Sequence, residues 1–87
     1  MDREKLKMVA GYYFKDKLGA EPDTLKFTYE EDGLPEYSIE ATLGSREFKI
    51  WMCPMHNLIE LTEKRHIGTF STAAGLAGMD KNLKKLL

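Results

Sequence analysis

The residues best suited to chemistry lie in one short segment, Trp51-Met52-Cys53-Pro54-Met55-His56. Its thiol, thioether and imidazole groups are ligands that a soft ion such as copper(I) prefers. Cys53 is the only cysteine, however, and a structural metal site normally has four ligands. The other histidine, His66, follows the next predicted strand. We therefore interpret the segment as a strand that ends at Pro54, and we predict neither a metal nor another cofactor.

The run Cys53-Pro54-Met55-His56 also resembles the start of a heavy-metal-binding motif found in some copper and zinc transport proteins. The resemblance covers these residues alone, and the cysteine pair that completes the motif in that family is absent from this chain. A metal carrier or weak enzyme that uses Cys53 and His56 is therefore a third interpretation of the sequence.

No set of residues has the spacing of a catalytic site. A cysteine nucleophile needs a base and a third group that orients the base. His56 and His66 are candidate bases for Cys53, but no acidic residue is placed to orient them. A catalytic carboxylate pair needs two different environments that push its pKa values apart. The candidate carboxylates all lie in one hydrophilic turn, where we expect solvent to keep their environments alike: Glu30, Glu31, Asp32 and Glu36. We predict that the protein is not an enzyme.

Residues 3–18 are predicted to form a helix. Apolar residues recur at three- and four-residue spacing and give one stripe, which consists of Leu6, Val9, Ala10, Tyr13 and Phe14. Met8 and Tyr12 lie off this stripe and form a second, smaller apolar strip. Asp2 is a candidate cap for the first turn, and Gly19 is placed to end the helix.

Four segments alternate between apolar and polar residues, as half-buried strands do. They are residues 24–30, residues 37–43, a run from Arg46 that ends at Pro54, and residues 57–62. In the first segment we expect three side chains to share one face, those of Leu25, Phe27 and Tyr29. Residues 63–66 are predicted to form a charged turn.

Gly44-Ser45 separates two of these segments by two residues, the length of a tight hairpin. Leu43 opposite Arg46 fixes a register in which apolar residues meet on one face: Ala41 with Phe48, Ile39 with Ile50, and Tyr37 with Met52. The other face then pairs Thr42 with Glu47, Glu40 with Lys49, and Ser38 with Trp51. A slip of one residue would mix the two faces, so Trp51 is predicted to point away from the helix.

Together these elements predict one α+β domain over residues 1–87. An N-terminal helix packs on a four-stranded antiparallel meander, and one or two short C-terminal helices follow. Ser71 or Thr72 is placed to cap a first helix through Ala77, and Asp80 to cap a second that contains Leu83, Leu86 and Leu87.

The composition excludes several classes of protein. A chain that is 43% hydrophobic with net charge −1 is not disordered throughout, and it has no general attraction to nucleic acid or membranes. No apolar run approaches the ~20 residues of a membrane span. A single cysteine forms no intramolecular disulfide, and the charged residues 1–7 are unlike a signal peptide. We predict a cytoplasmic protein that does not bind membranes.

The uneven distribution of charge has two interpretations: acidic strands that lie beside basic helices within the fold, or an acidic surface that docks on a partner. Residues 21–47 carry two basic and eight acidic side chains, net −6, whereas residues 1–20 carry five and three, net +2. Trp is enriched in binding hot spots, and Trp51 is expected beside Leu58 on the outer face. We predict a small adaptor, inhibitor or regulatory subunit that binds a protein partner. The predicted partner-binding residues are Glu30, Glu31, Asp32, Glu36, Glu40, Trp51 and Leu58.

Two alternatives concern the same surfaces. A C-terminal helix would bury Trp51 if Leu76, Leu83 or Leu86 packed over it. The two edges of a meander would also permit pairing with a second copy of the chain, and thus a homodimer.

Nucleic-acid binding is the alternative function. Lys81, Lys84 and Lys85 would form the basic face of a C-terminal helix, in a segment with nearly the spacing of a helix-turn-helix. Residues 29–44 also resemble the first strands of a double-stranded-RNA-binding domain. That family carries a lysine cluster at the start of its last helix, and residues 71–75 contain no lysine. The phosphate contacts that supply most of such affinity are therefore missing.

Overall fold

The structure is a computed structural model that describes residues 3–30, 36–64, 70–71 and 83–86, with the backbone alone for residues 29, 30, 70 and 71. The elements in chain order are α1 (Arg3–Leu18), β1 (Thr24–Glu30), β2 (Tyr37–Leu43), β3 (Arg46–Cys53), a 3₁₀ turn (Pro54–His56), β4 (Leu58–Lys64), β5 (Phe70–Ser71) and α2 (Leu83–Leu86). The predicted α+β fold is confirmed: an N-terminal helix, an antiparallel meander and a short C-terminal helix.

Helix α1 buries the predicted apolar stripe, since Leu6, Val9, Ala10, Tyr13 and Phe14 are all buried. The helix ends as the sequence predicts. Gly19 has a φ of 75°, and its N–H donates to the Lys15 carbonyl over 2.8 Å. A left-handed residue after the last turn satisfies a carbonyl that would otherwise lack a partner. Asp2, the predicted cap, lies outside the described residues.

The sheet has the strand order β1-β2-β3-β4-β5, with antiparallel neighbours throughout. The first four strands are the predicted meander, and β5 adds two residues. The prediction of a turn at residues 63–66 was wrong at its start, because Glu63 and Lys64 pair with β5 as part of β4. β4 begins at Leu58 rather than at Asn57, because Asn57 adopts a left-handed φ of 58° that ends the 3₁₀ turn.

The β2–β3 hairpin has the predicted register at all positions, from Leu43 opposite Arg46 to Tyr37 opposite Met52. Gly44 has a φ of 62°, whereas Ser45 does not have a positive φ. This is the arrangement of a type II′ turn, which favours glycine at its first central position. Asp23 braces the turn, since its carboxylate accepts from the Gly44 N–H over 2.8 Å and its own N–H donates to the Thr42 carbonyl over 2.7 Å.

The regular alternation predicted for β1 fails beyond Phe27. The register shifts between Phe27 and Tyr29, so that Phe27 pairs with Ile39 but Tyr29 pairs with Ser38. A β-bulge inserts one extra residue and disrupts the alternation. Tyr29 therefore does not share the register of Leu25 and Phe27, and its side chain, predicted to share their face, is not among the described side chains.

One apolar cluster holds the fold together. It joins the buried stripe of α1 to one face of the sheet, which we call the inner face, at Tyr37, Ile39, Ala41, Phe48, Ile50, Met52, Ile59 and Leu61. At its centre the rings of Phe14 and Phe48 meet edge to face, with centroids 4.9 Å apart. Full burial of a side chain of this size stabilises a fold by roughly 1.5–3 kcal/mol. We call the opposite side of the sheet the outer face.

The C-terminal helix α2 joins the same cluster through Leu83, which is fully buried. Leu83 therefore packs on the core shared with α1 and does not cover Trp51. Leu86, a second proposed cover, is 42% exposed. The third, Leu76, and the proposed caps at residues 71, 72 and 80 fall beyond the described side chains. Neither α1 nor α2 has the length and apolarity to span a membrane in the part of the chain that is described.

Candidate functional site

The outer face places Trp51 and Leu58 diagonally across two strands. Trp51 on β3 pairs with Ser38 on one side and with Glu60 on the other, and Leu58 pairs with Cys53. Diagonal neighbours of this kind lie about 7–8 Å apart, within reach of an aromatic side chain. The structure thus places the two predicted apolar residues together on the predicted face.

This outer patch is less accessible than the sequence pattern alone indicates. Trp51 and Leu58 are each half-buried, and the smaller side chains beside them are buried at Ser38, Cys53 and Thr62. Part of each larger side chain remains in contact with solvent. Binding through Trp51 and Leu58 therefore stays a prediction.

Only part of the predicted acidic surface can be located. Glu40 is exposed and Glu36 is half-buried. Glu30 lies in β1, but its side chain is not described, and Glu31 and Asp32 lie outside the described residues.

The register gives Glu40 two oppositely charged neighbours. Lys26 of β1 and Lys49 of β3 pair with it on either side. Further along the same face, Lys64 lies 3.7 Å from Glu47. Opposite charges at paired positions stabilise a sheet. Lysines and glutamates therefore alternate on the described outer face, which carries no run of acidic side chains.

The segment around Cys53 does not assemble a metal site with the residues whose positions are described. Cys53 is buried, whereas Met55 and His56 are exposed on the 3₁₀ turn that follows. No three His, Cys, Asp or Glu side chains within residues 3–30, 36–64, 70–71 and 83–86 could hold a metal ion. His66 lies outside these ranges.

The basic C-terminal surface is described only in part. Lys84 and Lys85 are exposed on α2. Lys81 and the residues that suggested a helix-turn-helix before it lie outside the described residues. Of the three lysines predicted to bind nucleic acid, two are thus exposed and the third is not described, so nucleic-acid binding stays a prediction.

Among the described residues, two neighbouring large apolar side chains on α1 are exposed, and neither was among the predicted partner-binding residues. Tyr12 is 64% exposed and Met8 is 56% exposed. They are four residues apart, so they are neighbours on one side of the helix. The sequence signal was the second apolar strip of α1. Its accessibility became clear only from the position of α1 over β1, because helical spacing does not show which sides of a helix a sheet will cover.

A groove of about 250 Å³ runs between this strip and the start of β1. One wall is α1, with Lys7, Met8, Gly11, Tyr12 and Lys15. The other wall is formed by Glu21, Pro22 and Leu25. Concave sites with apolar walls and a few polar groups are where proteins commonly bind other molecules. We call this feature the α1–β1 groove.

The rim of the α1–β1 groove is positively charged on balance. Lys15 lies 3.7 Å from Glu21, so these two charges offset each other. Lys7 has no carboxylate within ion-pair distance among the described residues. One cation on the rim is therefore available to an incoming group.

A bidentate ion pair joins β3 to β4. The Arg46 guanidinium donates to both carboxylate oxygens of Glu63, over 3.0 and 2.8 Å, and stacks 5.0 Å from the centre of the Phe48 ring. These hydrogen bonds raise the pKa of Arg46 above its ordinary value. Since Arg46 covers a core ring and Glu63 is already engaged, the pair has a structural role.

The chain matches no protein-family model, no curated protein and no solved structure at a significant level.

Proposed function

We propose that the protein is a small cytoplasmic module that carries out no catalysis and binds another protein. The observation that carries the proposal is the exposure of Met8 and Tyr12 beside the α1–β1 groove. Large apolar side chains that remain accessible next to a concavity, with charged residues around them, are typical of protein interaction sites.

The groove is better placed for docking than the outer patch of Trp51 and Leu58. Met8 and Tyr12 each expose more than half of their surface, whereas Trp51 and Leu58 are half-buried. Burial of exposed apolar area drives most association. The groove is therefore the primary docking surface of the proposal, and the outer patch is a separate, second prediction.

Comparative affinity capture tests this proposal. The full chain and a variant with Met8→Ser and Tyr12→Ser are used as baits in extracts of the source cells, and bound proteins are quantified. Met55→Ser is the matched control, because Met55 is 59% exposed but belongs to the 3₁₀ turn and not to α1. Exposed substitutions of this kind change stability by only about 0.5 kcal/mol, so all baits should remain folded.

We expect at least one protein to be captured by the wild type and by Met55→Ser but lost with the double variant. The interaction must then be reproduced with the purified partner. Identical capture by all three baits would contradict a function based on the α1 strip.

A further inference from the structure

The α1 wall of the groove has the geometry of a hole for a helical knob. Met8, Gly11, Tyr12 and Lys15 have the spacing i, i+3, i+4 and i+7. When two helices pack closely, a side chain of one inserts into a hole formed by four residues of the other, and these are the four positions of such a hole. The groove therefore has a shape suited to a facing helix.

Gly11 leaves the floor of this hole without a side chain. A Cβ at this position would lie 3.4 Å from Cδ1 of Leu25, so the helix approaches β1 closely here. The space above is bounded by the side chains of Met8 and Tyr12. Its volume of about 250 Å³ exceeds the roughly 150 Å³ of an engineered apolar cavity that accepts benzene. One apolar side chain would fit.

A strand is a less suitable occupant than a helix. β1 is bordered on only one side by another described strand, and it carries a bulge between Phe27 and Tyr29. Lys26 is exposed on the same strand. Bulges and lysines on edge strands are features that prevent the addition of another strand. Docking of an amphipathic helix into a groove has no need of this edge.

Charge complementarity defines the partner further. Lys15 is already engaged by Glu21, whereas Lys7 has no carboxylate partner among the described residues. An acidic ligand would complete this pairing, and a basic ligand would be repelled. We propose that the hole accepts an apolar side chain from an acidic amphipathic helix of the partner protein. The inference deepens the proposed function and rests on it.

A display selection of peptides tests this assignment even before the partner protein is identified. A library of random 18-residue peptides is selected for binding to the full wild-type chain. Each enriched clone is then measured against Gly11→Leu, which fills the hole, and against Lys7→Glu, which reverses the rim charge. Circular dichroism and thermal unfolding check that both variants are folded. Lys7 is half-buried at the rim and is not part of the apolar core, so Lys7→Glu remains informative if Gly11→Leu is unstable.

We expect the enriched clones to be acidic and to have apolar residues at helical spacing. Their affinity should fall at least about tenfold with Gly11→Leu, as for loss of an apolar anchor. Lys7→Glu should weaken binding and reduce its dependence on salt. Clones that are basic or lack helical spacing, clones that bind Gly11→Leu equally well, or a selection without enrichment would overturn the assignment.

Two further outcomes are distinguishable. Analytical ultracentrifugation compares the oligomeric state of the wild type with that of Gly11→Leu. A wild-type dimer that becomes monomeric in Gly11→Leu would show that a second copy of the chain occupies the hole, and would overturn the inference. If affinity capture finds a partner that depends on Met8 and Tyr12 while the selected clones ignore the hole, the proposed function stands and the helical occupant is wrong. If capture shows no such partner, the proposed function itself fails.

Discussion

Asn57 holds the C-terminal helix against the turn between β3 and β4. Its side-chain oxygen accepts a hydrogen bond from the backbone N–H of Lys84, and its carbonyl accepts one from the N–H of Leu83 over 3.4 Å. The same residue ends the 3₁₀ turn with a φ of 58°. One residue therefore combines a left-handed turn position with hydrogen bonds to the first two residues of α2, and these bonds hold Leu83 where it enters the core.

Two substitutions at Asn57 should separate these roles. Asn57→Gly tolerates the positive φ but removes the side-chain acceptor of the Lys84 N–H, and we expect a loss of about 1 kcal/mol. Asn57→Ala also places a Cβ in the left-handed region, so its loss should be larger by about 1–2 kcal/mol. Denaturant unfolding measures both losses, and hydrogen exchange at the Lys84 amide reports on this hydrogen bond. Equal stability of the two variants, or unchanged protection of Lys84, would refute this account.

Gly11→Ala should make the protein more stable while it weakens partner binding. Alanine is favoured over glycine inside a helix by about 0.5–1 kcal/mol, and its methyl would meet Leu25 at an ordinary contact distance of 3.4 Å. The melting temperature should rise by roughly 2–8 °C. The same methyl occupies the floor of the groove, so it should reduce affinity for peptides selected on the wild type. A fall in melting temperature would show that the approach of α1 to β1 is too tight for any side chain.

Removal of the Asp23 carboxylate should destabilise the β2–β3 hairpin, although Asp23 is not part of the hairpin sequence. Asp23→Ala leaves the Gly44 N–H without its acceptor and should cost about 1 kcal/mol. Asp23→Asn keeps an acceptor oxygen and should cost less. Asp16→Ala, which removes an exposed acid on α1, is the control. Urea unfolding of the three variants measures the differences. The idea fails if Asp23→Ala and Asp16→Ala unfold alike.

The outer patch and the acidic residues remain testable once a partner is in hand. Trp51→Ser should reduce binding by about tenfold if this tryptophan is a hot spot. Neutralisation of the four acids at Glu30, Glu31, Asp32 and Glu36 should weaken binding and reduce its dependence on salt. Calorimetry at two salt concentrations measures both effects. Unchanged affinity in both variants would remove this surface from the binding site and leave the α1–β1 groove alone.

The sequence predicted the hairpin correctly because its information is local. Two alternating segments separated by Gly44 and Ser45 admit one register, and that register is observed. The bulge in β1 escaped prediction because Leu25, Phe27 and Tyr29 continue to alternate in the sequence where the pairing does not. Asn57 was missed as an anchor because its partner, Lys84, is distant along the chain.

For the candidate site, the sequence identified the apolar residues but did not predict whether they are exposed to solvent. The helical period separated Met8 and Tyr12 from the buried stripe of α1. Whether they meet solvent depends on where β1 and Pro22 lie against the helix, which is set by packing between distant segments. Trp51 shows the converse case, since it lies on the predicted face but is partly buried there.

The tight turn at Gly44 has a consequence for the order of events during folding. The β2–β3 hairpin closes over two residues, whereas the Phe14–Phe48 contact must bring distant segments together. Local contacts cost less loop-closure entropy and tend to form earlier. We therefore expect the hairpin to act as the nucleus onto which α1 later docks, with higher φ-values for Ile39→Val and Ile50→Val than for Phe14→Leu. Equal or reversed φ-values from stopped-flow refolding would place the helix in the nucleus instead.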